Sequence, residues 1–407
     1  MYDTPTTELQ DIYIARQAVF DRDMQVVGYE LLFRGSNLGT AGIDDARMAS
    51  SQVIINTFIN IGLERLVGSG RAFINLPPDL IAGAEDLPMS PEQLVLDLPG
   101  DYPATPERLS ALRLLRERGF SIAFDMSQYR PEHKPMLDLA DMVRLDVRGV
   151  PTADLEKVAN TLSNSHPLRL FASRIETHEQ FEAARKAGFD YFQGFFFSRP
   201  SLIRDRTVQA NRLILLRILE RLHDESETIA AIERLIVQDA TLTYKLLRYI
   251  NSASYALRRQ IDSVREALGL VGTQTVRNWA SLILLSRLNE DKPAELLNIA
   301  LIRARMGELL ARDFGIADPA QMFTVGLFST LDALLDVPMV ELLDTVALNT
   351  SIKLALLDHT GPMGELLDLL IAYEEGKWER LDQFPGQSTR FSEAYLEAVD
   401  WAHSLEL

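Results

Sequence analysis

The chain has 407 residues, which is long enough for two domains at about 100 to 200 residues each. Its 41 basic and 58 acidic side chains give a net charge of −17, which would repel the phosphate backbone of a nucleic acid. Apolar residues make up 47% and cysteine is absent, so the composition is that of a globular protein and excludes disulfides, thiolate metal sites and a cysteine nucleophile.

The first half of the chain alternates short apolar runs with amphipathic helical segments. Eight runs are predicted strands, at 13–20, 26–33, 73–76, 94–98, 120–124, 142–147, 168–172 and 191–197. The polar, turn-like cluster Asp21–Met24 lies between the first two runs, which predicts an antiparallel hairpin. Helical segments follow at 45–66, 106–118, 151–162 and 177–187, and parallel strands require such connections. This order predicts an α/β fold, a TIM-like (β/α)8 barrel with one reversed strand.

The second half of the chain has a different periodicity. After residue 200 apolar residues recur three and four positions apart, which predicts one helix after another. Asp239 is in the position of a helix N-cap, and Gly315 is where a helix should end. We therefore predict two domains, a barrel over residues 1–203 and an all-α domain over residues 204–407.

Polar residues occur at the predicted carboxyl ends of the strands, where α/β barrels carry their functional groups. They are Glu30, Arg34, Asn75, Asp97, Asp125, Arg144, Asp146, Glu176 and Gln193. For any one of these acids, a helix cap or a solvated loop residue is the simpler interpretation. The functional hypothesis therefore depends on the whole set.

These strand ends form a series of short motifs. They are Tyr-Glu-Leu-Leu-Phe-Arg at 29–34, Phe-Ile-Asn-Leu at 73–76, Val-Leu-Asp at 95–97, Ile-Ala-Phe-Asp at 122–125, Val-Arg-Leu-Asp at 143–146, Ile-Glu-Thr at 175–177 and Gln-Gly-Phe-Phe-Phe-Ser-Arg-Pro at 193–200. In order and spacing they resemble an EAL domain, a family of barrels that bind and hydrolyse cyclic di-GMP. The resemblance implies that Glu30, Asn75 and Asp125 correspond to ligands of two Mg²⁺ or Mn²⁺ ions. It also implies that Asp97 replaces a glutamate and that Arg34 faces a ligand phosphate.

Four further positions depart from the EAL pattern. The acid that bridges both metal ions in the family falls on Met126, the catalytic lysine on Arg144, and the Glu-Gly of a Glu-Gly-Val-Glu motif on Ser173 and Arg174. A thioether carries no charge, and the pKa of arginine is too high for proton transfer. We therefore expect metal binding and hydrolysis to be lost. Arg144 and Arg174 are expected to neutralise the rim acids instead, the alternative being that both point to solvent.

The helical half resembles an HDOD domain over roughly residues 201–400, most clearly from 235 to 290. HDOD domains are relatives of the HD and HD-GYP phosphohydrolases that lack their metal-binding His-Asp pair. Here the corresponding positions fall near Ser329 and Thr330, whose hydroxyls cannot replace that pair. A His-Asp dipeptide at 223–224 is interpreted as a coincidence, because the six histidines show no metal-ligand spacing.

Two domains with altered catalytic motifs predict a protein that is not an enzyme, similar to EAL and HDOD signal transduction proteins of the YuxH type. We expect it to act by binding other signalling proteins in a cyclic di-GMP or motility network, without a metal or other cofactor. One alternative is a sensor that binds cyclic di-GMP without hydrolysis, with Arg34, Arg144 and Arg174 as phosphate contacts. Another is a weak residual phosphodiesterase. A homodimer is implied by the resemblance alone.

The predicted cellular location depends on the N-terminal residues and on the length of the apolar segments. The first eleven residues are polar and acidic rather than a secretory signal, and no segment approaches the roughly 18 consecutive apolar residues that span a bilayer. A cytoplasmic protein without membrane insertion is predicted.

Overall fold

The structure is a computed structural model. It describes residues 12–405 except 36–61, 76–89, 103, 127–132, 149, 166–167, 199–209, 225, 252–260, 289–291, 347 and 382–387. The chain divides into two compact units. The barrel unit comprises Met1–Phe197 and Ile371–Val399, and the helical unit comprises Ser198–Leu370 and Asp400–Leu407. The predicted boundary at 203/204 lies outside the described residues and stays a prediction, and the place of 371–399 in the barrel unit was not foreseen.

The barrel unit contains a closed barrel of eight strands that follow one another in chain order. They are β1 (Ile12–Phe20), β2 (Val26–Gly35), β3 (Arg71–Asn75), β4 (Leu94–Leu98), β5 (Ser121–Asp125), β6 (Met142–Asp146), β7 (Arg169–Ser173) and β8 (Tyr191–Phe192). β1 is antiparallel to both β2 and β8, and all other neighbours are parallel. The predicted fold, with its one reversed strand, is confirmed.

The last predicted strand is shorter than expected. β8 ends at Phe192, and Phe195–Ser198 forms a turn of 3₁₀-helix. Between them Gly194 has a φ of +150°, and a Cβ at this position would lie 2.0 Å from the carbonyl oxygen of Ile175. This close approach turns the chain away from the strand direction. The apolar run is still buried, so its composition alone could not distinguish a strand from a helical turn.

Short helices connect the parallel strands. They are α1 (Leu63–Val67), α2 (Pro106–Glu117), α3 (Lys134–Leu137), α4 (Thr152–Ser165) and α5 (His178–Lys186). Three of the predicted helices correspond to α2, α4 and α5, whereas most of the predicted helix at 45–66 lies outside the described residues. α5 begins with a capping box, in which the side chains of Thr177 and Gln180 each bind the other's backbone N–H.

One layer of inward-facing side chains fills the barrel interior. It contains a residue from every strand except β2, namely Val19, Phe73, Val95, Ala123, Met142, Phe171 and Tyr191. Phe171 contacts Phe73 and Tyr191 edge to face, with ring centroids 5.7 and 6.2 Å apart. The barrel is therefore a packed core rather than a pore, and polar chemistry is confined to its rim.

The segment Ile371–Val399 covers part of β1. This strand pairs with β8 only at Phe20 and Phe192, which leaves backbone groups of its first half without a strand partner on that side. The hydroxyl of Tyr373 accepts from the N–H of Ile14 at 3.2 Å and donates to its carbonyl oxygen at 2.7 Å. Tyr395 accepts from the N–H of Arg16 at 3.3 Å. Two tyrosines from the far end of the chain thus satisfy buried strand groups.

The helical unit is built from helices throughout its described residues. They are α6 (Ala210–His223), α7 (Ile229–Val237), α8 (Ala240–Ile250), α9 (Val264–Leu270), α10 (Thr273–Leu288), α11 (Ala294–Phe314), α12 (Pro319–Phe328), α13 (Leu331–Leu335), α14 (Met339–Thr345), α15 (Thr350–Leu357) and most of α16 (Gly361–Glu374). Residues 371–374 of α16 and 388–399 of α17 (Ser388–Ser404) belong to the barrel unit. The predicted cap is confirmed, because Asp239 accepts from the N–H of Leu242 at 2.9 Å. Gly315 ends α11 with a φ of +64°, also as predicted. Among the described residues we find no helix with the length and apolarity needed to traverse a bilayer.

Candidate active site at the barrel rim

The polar residues at the rim follow from the two-residue period of the strands. Six of them stand two positions beyond a member of the interior layer, namely Asn75, Asp97, Asp125, Arg144, Ser173 and Gln193. Because side chains at i and i+2 share one face of a strand, these six point into the same mouth. β1 runs the other way, so its rim residue stands two positions before Val19 and is Gln17. Glu30 of β2 pairs with Gln17 in the strand register.

Arg144 lies at the centre of this mouth. Its side chain is 8% exposed, and its Nη1 lies 2.8 Å from Oε1 of Glu30 and 3.1 Å from Oδ2 of Asp97. The guanidinium carbon also lies 4.6 Å from the ring centroid of Phe171 in the layer below. The expectation that Arg144 neutralises rim acids is confirmed, and the alternative that it points to solvent is wrong.

One cation shared by two buried carboxylates leaves an excess negative charge, and the two acids respond differently. Burial raises the pKa of Asp97 to about 7; the Arg144 guanidinium opposes this, while the charges of Glu30 and Asp125 add to it. Burial would also raise the pKa of Glu30, but the ion pair with Arg144 and hydrogen bonds from Arg144 and Gln193 outweigh it and lower the pKa. Near neutral pH the floor of the site thus consists of an ionised Glu30–Arg144 pair beside Asp97, which is protonated in part of the molecules.

Gln193 and Gln17 support this pair from the side. The amide nitrogen of Gln193 donates to Oε2 of Glu30 at 2.6 Å and lies 3.4 Å from Oε1 of Gln17. Gln193 belongs to the predicted set, whereas Gln17 was missed. The prediction considered the carboxyl ends of the strands, but β1 is reversed, so its rim residue stands two positions before its interior residue Val19. The hairpin register of β1 and β2 is the signal that would have found it.

The outer part of the mouth is more exposed. Asn75 and Asp125 are exposed strand-end residues, and partial burial of its carboxylate raises the pKa of Asp125. Ser173 is buried, and its hydroxyl donates to the carbonyl oxygen of Leu145 at 3.1 Å. The predicted role of Arg34 stays a prediction, because its side chain lies outside the description.

Asp146 and Glu176 belong to the edge of the mouth rather than to its floor. Asp146 is held by Arg148, whose Nε and Nη2 lie 3.2 and 2.9 Å from its two carboxylate oxygens. Arg174 approaches the same carboxylate only to 3.6 Å, and its side chain is 62% exposed. Glu176 is exposed, and its backbone N–H donates to Gln180 at the start of α5. The simpler interpretation, an acid beside a helix start, suits Glu176.

The donor set does not fit the pair of divalent ions that the EAL resemblance implies. Met126, where the bridging carboxylate would stand, is 1% exposed and offers no oxygen. The guanidinium of Arg144 occupies the space between the carboxylates of Glu30 and Asp97. Within the described ranges, no group of three or more histidine, cysteine, aspartate or glutamate side chains is arranged to hold a metal ion.

In the helical unit Ser329 and His223 form hydrogen bonds within the fold, whereas the hydroxyl of Thr330 has no hydrogen-bond partner among the described residues. Ser329 accepts from Nη1 of Arg303 at 3.1 Å and donates to the carbonyl oxygen of Gly326 at 2.7 Å, while Thr330 is buried. His223 Nε2 lies 2.8 Å from the hydroxyl of Ser281. Burial, with a smaller contribution from Arg277, lowers the pKa of His223 to about 3, so the ring is neutral. The His-Asp dipeptide is thus part of a packed helix end.

An eight-stranded barrel with a charged rim, joined to an all-helical unit, defines a two-domain protein of the EAL and HDOD class. A family model described as the HDOD domain matches residues 212–343. The cyclic di-GMP phosphodiesterase CdgJ of Vibrio cholerae is 34% identical over 375 residues, covering 91% of this chain and 87% of that protein. YuxH of Bacillus subtilis is 30% identical over 404 residues, covering 97% of this chain and 98% of that protein. The chain therefore belongs to the family of EAL and HDOD domain proteins that contains CdgJ and YuxH.

Solved structures with similar folds include two EAL proteins. The calcium and cyclic di-GMP complex of Klebsiella pneumoniae BlrP1 is 20% identical with a TM-score of 0.40, covering 47% of this chain and 56% of that chain. An EAL domain protein of Listeria monocytogenes is 19% identical with a TM-score of 0.37, covering 49% of this chain and 94% of that chain.

The comparison overturns one prediction from the sequence. The substitutions at Met126, Arg144 and Ser173 predict a protein that is not an enzyme, with a degenerate site. This prediction is wrong, because the relative from Vibrio cholerae that matches 91% of the chain is named a phosphodiesterase. Departures from a family motif do not by themselves decide activity, because catalysis depends on the whole constellation of a site. Protein partners, a homodimer and a cytoplasmic location stay predictions.

Proposed function

We propose that the chain is a cyclic di-GMP phosphodiesterase and that the reaction takes place at the rim of the barrel unit. The observation that supports this is the convergence of Glu30, Asp97, Arg144 and Gln193 in one mouth, in a family with a member that carries this activity in its name. Strand-end clusters of this kind are where α/β barrels place their catalytic groups.

The rim residues can supply the two requirements of phosphodiester hydrolysis. The attacking water must give up a proton as its oxygen bonds to phosphorus, and an exposed rim carboxylate such as Asp125 is suited to accept it. The bond from phosphorus to the ribose oxygen breaks, and that oxygen takes up a proton from the solvent at the exposed rim. The charge that develops on the phosphate oxygens must meet fixed donors, and the rim offers arginine side chains for this. The buried Glu30–Arg144 pair and Gln193 would keep these groups in position, because their own hydrogen bonds fix their orientation.

We further propose that Arg144 serves in place of a divalent ion. Its charge already neutralises Glu30, and its Nη1 is placed between the two acids that an ion would join. No step is assigned to a metal, because the residues present do not fit a pair of ions. On this basis a chelator should leave the activity unchanged.

The test is a product assay with the full-length protein. Cyclic di-GMP is incubated with the protein with EDTA, with Mg²⁺ or with Mn²⁺, and the linear dinucleotide is separated by chromatography. The proposal predicts linear product in all three mixtures and none with the Asp125→Asn variant. An absence of product in every mixture would refute the phosphodiesterase, and product only with a metal would refute the metal-free mechanism alone.

A further inference from the structure

Arg174 has a backbone conformation that arginine rarely adopts. It is the first residue after β7, and its φ is +60°, in the left-handed region that favours glycine. The other described non-glycine residues with positive φ are Met24, Asp336 and His359, which lie in a hairpin turn, at a helix end and just before a helix. Arg174 is the one such residue at the described part of the rim.

Hydrogen bonds on both sides hold this conformation. The carbonyl oxygen of Ser173 accepts from the N–H of Val147 at 3.1 Å, and the N–H of Ile175 donates to the carbonyl oxygen of Gln193 at 3.0 Å. The chain thus cannot relax at residue 174 without breaking contacts between neighbouring strands. A long charged side chain in a strained position at the mouth of a barrel is a feature of functional sites.

The guanidinium of Arg174 makes only one weak contact with the described residues of the rim. Its side chain is 62% exposed, and its nearest acid, Asp146, is 3.6 Å away and already bound by Arg148. Even so, its charge helps to lower the pKa of Glu30 and Asp146 and opposes the rise in the pKa of Asp125 that burial causes, so it lies within electrostatic reach of the mouth. Arg144, by contrast, is buried, and its Nη1 contacts two carboxylates.

We infer that, among the described residues of the mouth, Arg174 binds a phosphate of the substrate, whereas Arg144 is a fixed internal cation. A planar guanidinium with unused donors can bind two non-bridging oxygens of a phosphodiester. The charge of Arg174 also offsets the repulsion between the rim acids and an anionic ligand. This assignment rests on the proposed function for the identity of the ligand, cyclic di-GMP.

The test compares Arg174→Gly, Arg174→Lys and a charge-matched control, Arg185→Ala on α5, whose side chain pairs with Glu182. Calorimetry measures the affinity of each full-length protein for cyclic di-GMP, and thermal unfolding measures its stability. Arg174→Gly should bind about 10- to 100-fold more weakly, the loss expected for a charge-assisted hydrogen bond. Its melting temperature should not fall, because glycine suits a φ of +60°.

The lysine variant keeps the charge but loses the planar fork, so it should recover part of the affinity, and the control should bind as the wild type does. Unchanged affinity in Arg174→Gly would refute the assignment, and so would a lower melting temperature that accompanies the loss of binding, since that would indicate a structural role. If the wild-type protein neither binds nor cleaves cyclic di-GMP, the proposed function itself fails. If it does both and the glycine variant does so equally, only the role of Arg174 fails.

Discussion

Replacing Asp97 by asparagine should remove a pH dependence from the stability of the barrel unit. Asp97 is 2% exposed, and burial raises its pKa to about 7. The charge of Arg144 does not offset this effect, because Glu30 shares the same cation. In the unfolded chain the same carboxyl ionises near pH 4. Between these values the unfolded state loses a proton that the folded state keeps, so the free energy of unfolding falls as the pH rises. Above pH 7 both states are ionised, and the loss is complete.

The expected size follows from about 1.4 kcal/mol for each pH unit in this window. Between pH 5 and pH 8 the wild-type protein should lose roughly 3 kcal/mol that Asp97→Asn does not lose, since two pH units of the window lie above pH 5. Glu30 does not interfere, because its lowered pKa places its titration below this range. The free energy of unfolding of Asp97→Asn, relative to that of the wild-type protein, should therefore be higher at pH 8 than at pH 5.

The assay is urea unfolding followed by the fluorescence of Trp378. This tryptophan belongs to the barrel unit and stacks on Tyr13 at 5.2 Å, whereas Trp279 and Trp401 belong to the helical unit and are replaced by phenylalanine in both proteins. Asp101→Asn, at an exposed aspartate of the same unit, is the matched control and should follow the wild-type curve. Parallel pH curves for the wild-type protein and Asp97→Asn would refute the reasoning about charge in the site.

Three further predictions concern other parts of the chain. Arg144→Met should gain binding of Mn²⁺ by calorimetry and a higher melting temperature in its presence, while the wild-type protein shows neither; tight Mn²⁺ binding by the wild-type rim would contradict this. Tyr373→Phe leaves the N–H and carbonyl of Ile14 unpaired and should cost the barrel unit about 1 to 3 kcal/mol, whereas an unchanged urea midpoint would show that water replaces the hydroxyl. His223 is neutral in the fold with a pKa lowered to about 3, so its contribution is complete above pH 6.5 and is lost as the pH falls. Between pH 7 and pH 4.5 the wild-type protein should lose roughly 3 kcal/mol of its free energy of unfolding, and His223→Gln should not show this loss. The measurement is unfolding followed by the fluorescence of the helical unit, and an equal loss in both proteins would contradict the prediction.

The strands and the rim could be predicted because their signals are local. Eight apolar runs, the polar turn at Asp21–Met24 and the intervening helical segments predict the barrel without knowledge of any contact. The two-residue period then decides which side chains share the mouth, as with Asp97 above Val95 and Arg144 above Met142. Gln17, the rim residue that was missed in the described part of the barrel, belongs to the reversed strand β1.

The ion pairs, protonation and activity of the site could not be predicted from such local signals. Arg144 and Glu30 are 114 positions apart, and only the closed barrel brings them to hydrogen-bonding distance. The raised pKa of Asp97 depends on burial and on a shared cation, neither of which is a property of its own segment. The departures from the EAL motifs were visible, but their effect on activity was judged wrongly from them alone.

The sequence by itself thus determined the order of the elements, the change from barrel to helices and the composition of the rim, because periodicity and turn residues act over a few positions. Only the tertiary structure decided which acid keeps its proton, which arginine is buried and which is exposed, and that residues 371–399 complete the barrel unit. These outcomes depend on partners that are distant in the chain, and burial changes the energy of a charge only after those partners have met.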